Sequence, residues 1–148
     1  MMEFVYAYAY FVLYAFLGWV CEDLYCGIPT KKFINRGFFY GPYCPIYGVG
    51  ALLVLYPLLF VKDYPILVFV LGVIITSTLE YITSWVMEIL FKTRWWDYSE
   101  RFMNINGRVC LLNSTLFGIM SIVVVYIIHP VIQDIVMDIP FTALMSFL

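Results

Sequence analysis

Residues 109–128 read VCLLNSTLFGIMSIVVVYII, twenty consecutive positions without a charged side chain. A helix needs about 20 mainly apolar residues to cross the hydrocarbon core of a bilayer. This stretch therefore predicts a transmembrane helix. Further spans are predicted at 4–21, 45–61 and 65–91, and a last apolar segment at 131–148 either forms a fifth span or lies at the membrane surface.

The composition of the whole chain agrees with this prediction. Of 148 residues, 64% are hydrophobic, 20% are aromatic and 12% are charged, whereas soluble domains carry about 25% charged residues. A soluble fold of this size could not bury so much apolar surface. A soluble enzyme, a disordered protein, a disulfide scaffold and a nucleic-acid binder are therefore poor fits. We predict a single transmembrane domain over residues 1–148, an all-α polytopic helix bundle of four or five spans.

Lysine and arginine are concentrated in two of the predicted loops. Seven of the eight lie in loops 22–44 and 92–108, and only Lys62 lies on the opposite side. Short loops rich in lysine and arginine remain in the cytoplasm during insertion. Both loops are therefore predicted to be cytoplasmic, with the N-terminus outside.

A short pattern occurs twice along the chain. Residues 19–25 (WVCEDLY) and 85–91 (WVMEILF) share Trp-Val-x-Glu-x-Leu-aromatic with a separation of 66 residues, and each copy precedes basic residues and a cluster of Asn, Arg and Gly. Two helices per unit return the chain to the same side, so the pattern predicts a parallel repeat. The predicted equivalences pair Glu22 with Glu88 and Arg36 with Arg108.

Glu80 carries the sharpest polar signal, because it lies about ten residues from either end of its predicted span. An ionised carboxylate at that depth costs a few kcal/mol. At 100° per residue, one arc of the helix carries Thr76, Glu80, Thr83, Ser84 and Met87. This arc lines either a polar cavity or a helix–helix seam. Asn113 on the next span is the natural partner of Glu80 or Glu88. A structural role, as an interhelical hydrogen bond, is sufficient to explain it.

Arg36 and Arg108 each stand at the start of an apolar segment, among Asn and Gly. A guanidinium presents a fork suited to carboxylate or phosphate. The two arginines therefore clamp an anion or lipid headgroup, pair with glutamates at the cytoplasmic mouth, or simply anchor the chain. Asp97, within RWWDYS at 94–99, either partners Arg108 or belongs to an interfacial belt.

These observations define the candidate substrate-binding residues: Glu22, Arg36, Glu80, Glu88, Asp97, Arg108 and Asn113. The cysteines form no CxxC pair and have no histidine nearby, and neither a phosphate-binding loop nor a dinucleotide-type glycine spacing is present. We therefore expect neither a metal nor a cofactor, and we assign no catalytic residue.

Five strings in the chain, GWVCE, NRGFFYGPYCPIYGVGA, EYITSWVMEILF, RWWDYS and NINGRVCLLNSTLFG, together resemble the bacterial family named putative ABC-transporter type IV. The resemblance covers roughly residues 8–145. It implies a small permease-like protein of the bacterial cytoplasmic membrane. Because the chain has no Walker motif, any ATP hydrolysis would belong to a separate subunit.

Three functions remain open on the sequence. The first is a permease-like transport component with a polar site near the cytoplasmic leaflet. Four or five helices are few to enclose a transport path, so we expect this component to self-associate. The second is an intramembrane enzyme acting on a lipid or amphiphile through its carboxylates. The third is a non-catalytic membrane partner or regulator. Each has the lipid bilayer as a partner, and none involves nucleic acid.

Overall fold

A computed structural model describes residues 2–30 and 41–145 of the chain. The regular elements in this part of the chain are helices, joined by loops. Within it, the side chains of residues 2, 22, 25–30 and 145 are outside the description. The helices are α1 (Met2–Thr30), α2 (Pro45–Leu59), α3 (Pro65–Phe91), α4 (Leu111–Val123), α5 (His129–Asp138) and α6 (Phe141–Met145), and a π-helical turn (Val124–Ile128) joins α4 to α5. This arrangement confirms the predicted fold class.

Three helical stretches are long and apolar enough to cross a membrane within the described residues. They are Glu3–Cys21, Pro65–Phe91 and Leu111–Asp138, and α2 is a shorter apolar helix. Many large apolar side chains on them are exposed, such as Ile66 at 82% and Ile127 at 61%. Such surfaces are expected where a helix faces lipid rather than water.

The ends of α3 follow from its sequence. Pro65 occupies the first turn, where its missing N–H costs no hydrogen bond. At the other end, Lys92 adopts the left-handed conformation with φ 57°, and its N–H bonds to the Glu88 carbonyl oxygen at 2.9 Å. Such a residue closes a helix and turns the chain away from its axis. The loop that follows therefore starts directly beside the last turn of α3.

The predicted separation of the span at 109–128 from the segment at 131–148 does not occur at His129-Pro130. The chain stays helical from Leu111 to Asp138, with the π-helical turn just before Pro130. A proline in a regular α-helix clashes with the carbonyl four residues earlier, and here that carbonyl belongs to Tyr126, inside the wider π turn. Local widening thus lets the helix continue.

The helical segments near the chain ends also differ from those predicted. The predicted segment 131–148 is divided, because α5 belongs to the preceding helical run and Pro140 separates it from the short α6. At the other end, α1 continues beyond the predicted 4–21 as far as Thr30. Charged side chains at 22 and 23 end an apolar span without ending a helix. The prediction of one transmembrane domain stays a prediction.

The described chain packs as two compact units, and the first comprises Met1–Leu53 with His129–Leu148. In this unit α1 packs against α5 and α6. The Tyr14 hydroxyl lies 3.1 Å from Nδ1 of His129, and both side chains are buried. This contact satisfies a polar group that would otherwise be buried alone.

The second unit, Val54–Ile128, is built on the α3–α4 pair. Small residues line the contact: an ideal Cβ on Gly72 would lie 2.6 Å from the Ser121 side chain, and one on Gly118 would lie 2.5 Å from Cγ2 of Val73. Ser77 donates a hydrogen bond to Ser114 across the pair at 2.7 Å. Close backbone approach through small residues is typical of helix pairs in membranes.

Candidate functional site

A polar network joins the second half of α3 to the 92–110 loop and to α4. Tyr98 donates its hydroxyl hydrogen to Oε1 of Glu80 at 3.2 Å, and Asn113 donates from Nδ2 to the Tyr98 oxygen at 2.6 Å. Oε2 of Glu80 is buried and has no hydrogen bond of normal geometry among the described residues, although Asn113 lies beside the same carboxylate. Glu80 is therefore held by protein groups from two other segments.

Arg108, in the same unit, is a buried cation with an α3 carboxylate as its partner. Its side chain forms an ion pair with Oε2 of Glu88, and Nη1 donates to Oγ of Ser84 at 3.2 Å. The guanidinium carbon lies 5.7 Å from the centre of the Tyr81 ring. The charge is therefore compensated by a carboxylate, a hydroxyl and an aromatic ring, all on α3.

The 92–110 loop is fixed by hydrogen bonds that hold Arg108 in place. Trp96 donates from Nε1 to the Arg108 carbonyl oxygen at 3.0 Å, and the Tyr98 N–H donates to the Gly107 carbonyl oxygen at 2.8 Å. Gly107 has φ 67°, and an ideal Cβ there would lie 2.5 Å from Oδ1 of Asp97. A side chain here would be strained in the left-handed conformation and would displace the side chains of Asp97 and Ser99.

Arg94 connects two carboxylates at the mouth of the network. Its Nε lies 3.6 Å from Oε2 of Glu88, and its Nη1 lies 3.6 Å from Oδ1 of Asp97. Hydrogen bonds from the side chain and backbone of Ser99, together with the Arg94 charge, hold the pKa of Asp97 below its ordinary value. Asp97 therefore remains ionised and helps to fix Arg94.

Tyr98 has the opposite shift. Burial, reinforced by the neighbouring Glu80 carboxylate, raises the pKa of Tyr98 to about 12. The phenol is therefore neutral at physiological pH, in the form that can donate to Glu80.

A cleft of about 320 Å³ opens beside this network. Its lining residues are Trp85, Glu88, Ile89, Lys92 and Arg108. It thus combines two cations, one carboxylate and two apolar side chains. Glu80 is not among its lining residues, so the ion-paired part of the network, rather than the Glu80 part, is in contact with the cleft.

The comparison with known families agrees with the membrane architecture. A family model described as Putative ABC-transporter type IV matches residues 9–148. The chain belongs to this family. No curated protein and no solved structure matches the chain. The predicted family is thereby confirmed, over nearly the whole length.

For this family member, the structure brings five of the seven candidate residues together in the second unit. They are Glu80, Glu88, Asp97, Arg108 and Asn113. The other two predictions, Arg36 and the side chain of Glu22, lie outside the described residues. The predicted pairing of these two with Arg108 and Glu88 as repeat equivalents therefore stays a prediction.

Asp97 is linked to Arg108 indirectly, through Arg94 and Glu88. Asp97 contacts Arg94 and Ser99, while Glu88 is the partner of Arg108. The tight loop after Trp96 turns the Asp97 side chain toward its own neighbours. Asn113 lies beside the Glu80 carboxylate and also donates to Tyr98, whose hydroxyl binds the same carboxylate.

Three residues of the site were missed by the sequence analysis. Tyr98 lies in the RWWDYS string of the family resemblance, but it was given no role in the site. Lys92 was counted only among the basic residues of the 92–108 loop. Trp85 was noted only within the repeat, although it lies three residues before Glu88 and so shares its helical face.

Proposed function

We propose that this protein is a permease-like component of a transport system, with its polar site at the loop end of α3, near the cytoplasmic leaflet. The single observation that carries the proposal is the ion pair between the buried Arg108 and the half-buried Glu88, which lines a cleft. Charged groups within membrane proteins usually face a pathway, a cavity or a partner. Membership of an ABC-transporter family makes transport the function that this cleft supports best.

The composition of the chain suggests what else such a system contains. The sequence has no phosphate-binding loop, so coupling to ATP requires a separate ATPase subunit. Few helices are available to enclose a path, so we propose that copies of the chain associate with each other or with a second membrane subunit. The distribution of basic residues supports a cytoplasmic position for the 92–108 loop in a bacterial cytoplasmic membrane, with the N-terminus outside.

The proposal is tested by following compounds across the membrane of a bacterium that lacks the gene. Intracellular and extracellular small molecules are compared between the deletion strain and strains complemented with the natural chain, Arg108→Gln, Lys92→Gln or Arg101→Gln. The last variant is the matched control, because Arg101 is exposed in the same loop. Membrane abundance is measured for each variant.

We expect at least one compound to change its distribution in the deletion strain and to depend on ATP in the complemented one. The natural chain and Arg101→Gln restore its distribution, whereas Lys92→Gln, which leaves the buried ion pair intact, restores it incompletely. A deletion that leaves every compound distributed as before contradicts a transport role. Full restoration by Arg108→Gln and Lys92→Gln at normal abundance contradicts the placement of the site.

A further inference from the structure

The residues of α3 that line the cleft form one stripe along the helix. Trp85, Glu88 and Ile89 are spaced i, i+3 and i+4, the spacing that places side chains on a single helical face, and Lys92, the residue that closes α3, lines the same cleft. Arg108 closes the cleft from the loop. The ligand surface is therefore a groove along the last two turns of α3.

Polarity changes in a fixed order along this groove. Trp85 and Ile89 are apolar and 52% and 54% exposed, and Lys92 follows at the helix end, together with Glu88 and Arg108. A rise of 1.5 Å per residue separates Trp85 from Lys92 by about 10 Å along the helix axis. The apolar end lies deeper within the span and the basic end lies at its boundary, which is the order of tail and headgroup in a membrane lipid.

The charges in the groove favour an anion. The lining holds Lys92 and Arg108 against one carboxylate, Glu88, and Arg94 adds a third cation 3.6 Å from that carboxylate. Within residues 2–30 and 41–145, the ammonium group of Lys92 has neither an ion-pair nor a hydrogen-bond partner. One cation thus remains available to a ligand after the internal pairs have formed.

We infer that the cleft binds an anionic amphiphile, a molecule with a phosphate or carboxylate head and a hydrocarbon chain. The head contacts Lys92 and the exposed edge of Arg108, and the chain lies along Ile89 and Trp85. A volume of about 320 Å³ is at the lower end of small-ligand sites, about 300–1,000 Å³, and holds a headgroup with the first part of its chain. The inference rests on the proposed function, whose substrate class it names.

The test uses Trp85 as a reporter in the purified full-length chain. The protein is placed in phosphatidylcholine vesicles with increasing fractions of phosphatidylglycerol that carries bromine on the upper part of its acyl chains. Quenching at Trp85 is the difference between the natural chain and Trp85→Phe. Brominated phosphatidylcholine and added inorganic phosphate form the other two arms. The variants are Lys92→Gln and, as a matched lysine control, the exposed Lys62→Gln.

We expect the phosphatidylglycerol fraction that gives half-maximal quenching to rise about fivefold in Lys92→Gln, the factor that corresponds to one lost lysine–headgroup contact. Lys62→Gln leaves it unchanged, and brominated phosphatidylcholine quenches far less. Equal quenching by both lipids, or an unchanged value in Lys92→Gln, overturns the inference. Displacement of the lipid by equimolar inorganic phosphate also overturns it, because it assigns the cleft to a free anion.

The outcome is separable from that of the proposed function. If the lipid does not bind while a compound is still redistributed in the deletion strain, the transport role is supported and the anionic amphiphile is excluded as the substrate class. If lipid binds at Trp85 while no compound is redistributed, the transport role falls and the cleft remains a site for anionic lipid.

Discussion

At the scale of single residues, Arg108 shows how a buried charge is made tolerable. It is 8% exposed, and its fork is divided between the carboxylate of Glu88 and the hydroxyl of Ser84. A lysine has the charge but not the planar fork that serves both partners. The geometry therefore requires arginine at this position.

Arg108→Gln is expected to destabilise the protein, because Glu88 loses its counter-charge and Ser84 its donor. Breaking a buried ion pair costs about 3–5 kcal/mol, and the partial exposure of Glu88 reduces this to about 1–3 kcal/mol. The measurement is unfolding in mixed micelles, in a double-mutant cycle with Glu88→Gln. The double variant should lose less than the sum of the single variants. Arg101→Gln is the control and should change stability by less than about 0.5 kcal/mol.

Tyr98 gives a pH-dependent prediction. Its pKa is raised from the ordinary value of 10.0 to about 12 in the folded protein, so the unfolded chain loses this proton first. The stability linked to this proton is fully present below pH 10 and is lost as the pH rises from 10 toward 12. We therefore expect the unfolding midpoint to fall less between pH 9 and pH 11 in Tyr98→Phe than in the natural chain.

Two variants sharpen this measurement. Glu80→Gln removes the neighbouring negative charge and so lowers the folded pKa of Tyr98 toward its ordinary value. The loss of stability should therefore be smaller, and complete at a lower pH, than in the natural chain. Tyr64→Phe, at an exposed tyrosine before α3, should keep the natural pH dependence. Identical curves for Tyr98→Phe and the natural chain would show that this phenol contributes nothing to the pH effect.

At the scale of elements, the α3–α4 seam depends on residues without side chains. Gly118→Ala is expected to destabilise the pair by about 1–3 kcal/mol, because the new methyl group would lie 2.5 Å from Cγ2 of Val73 and 2.8 Å from the Phe69 ring. Neither is the flexible end of a side chain. Unfolding in mixed micelles gives the value. Val73→Ala removes one of the two obstacles, so it should reduce the cost of Gly118→Ala, and an equal cost in both backgrounds would contradict the packing described.

Helices were more predictable than the joints between them. The apolar run that makes α3 is closed by Pro65 and Lys92, both visible in the sequence, so its extent could be anticipated. The continuation of the helix across Pro130 could not be predicted, because a π-helical turn depends on how the surrounding helix relaxes. In the site, Arg108 was identified by its position among Asn and Gly at the start of an apolar segment, and Glu88 by the repeated Trp-Val-x-Glu pattern. Tyr98 was not, because its role depends on the fold of the loop, which brings it to Glu80.

At the scale of the whole molecule, the distribution of basic residues predicts which face each loop occupies. In a cysteine-free background, Glu100→Cys in the 92–110 loop should react with a membrane-impermeant maleimide only after the cells are permeabilised. Asp63→Cys, in the turn between α2 and α3, should react in intact cells. Reaction of both cysteines from the same side would contradict the predicted orientation.

The general architecture was the easiest level to predict from the sequence, since a bilayer imposes length and apolarity on every helix that crosses it. The internal repeat illustrates the opposite case. Its motif is evident at 19–25 and 85–91, but equivalence is a statement about side-chain positions, and Arg36 lies outside the described residues. Sequence similarity alone does not place two charges in one site.

The position of Glu88 between two arginines has a mechanical consequence. Its carboxylate neutralises Arg108 in the cleft and also holds Arg94, which is tied through Asp97 to the 92–110 loop. An anionic head at Lys92 and the exposed edge of Arg108 lies beside the Glu88 carboxylate, and repulsion between the two negative charges weakens the attachment of the loop to α3. Ligand binding in the groove and the position of the loop are then thermodynamically linked. A partner that binds the loop from the aqueous side therefore also changes the affinity of the groove for its ligand.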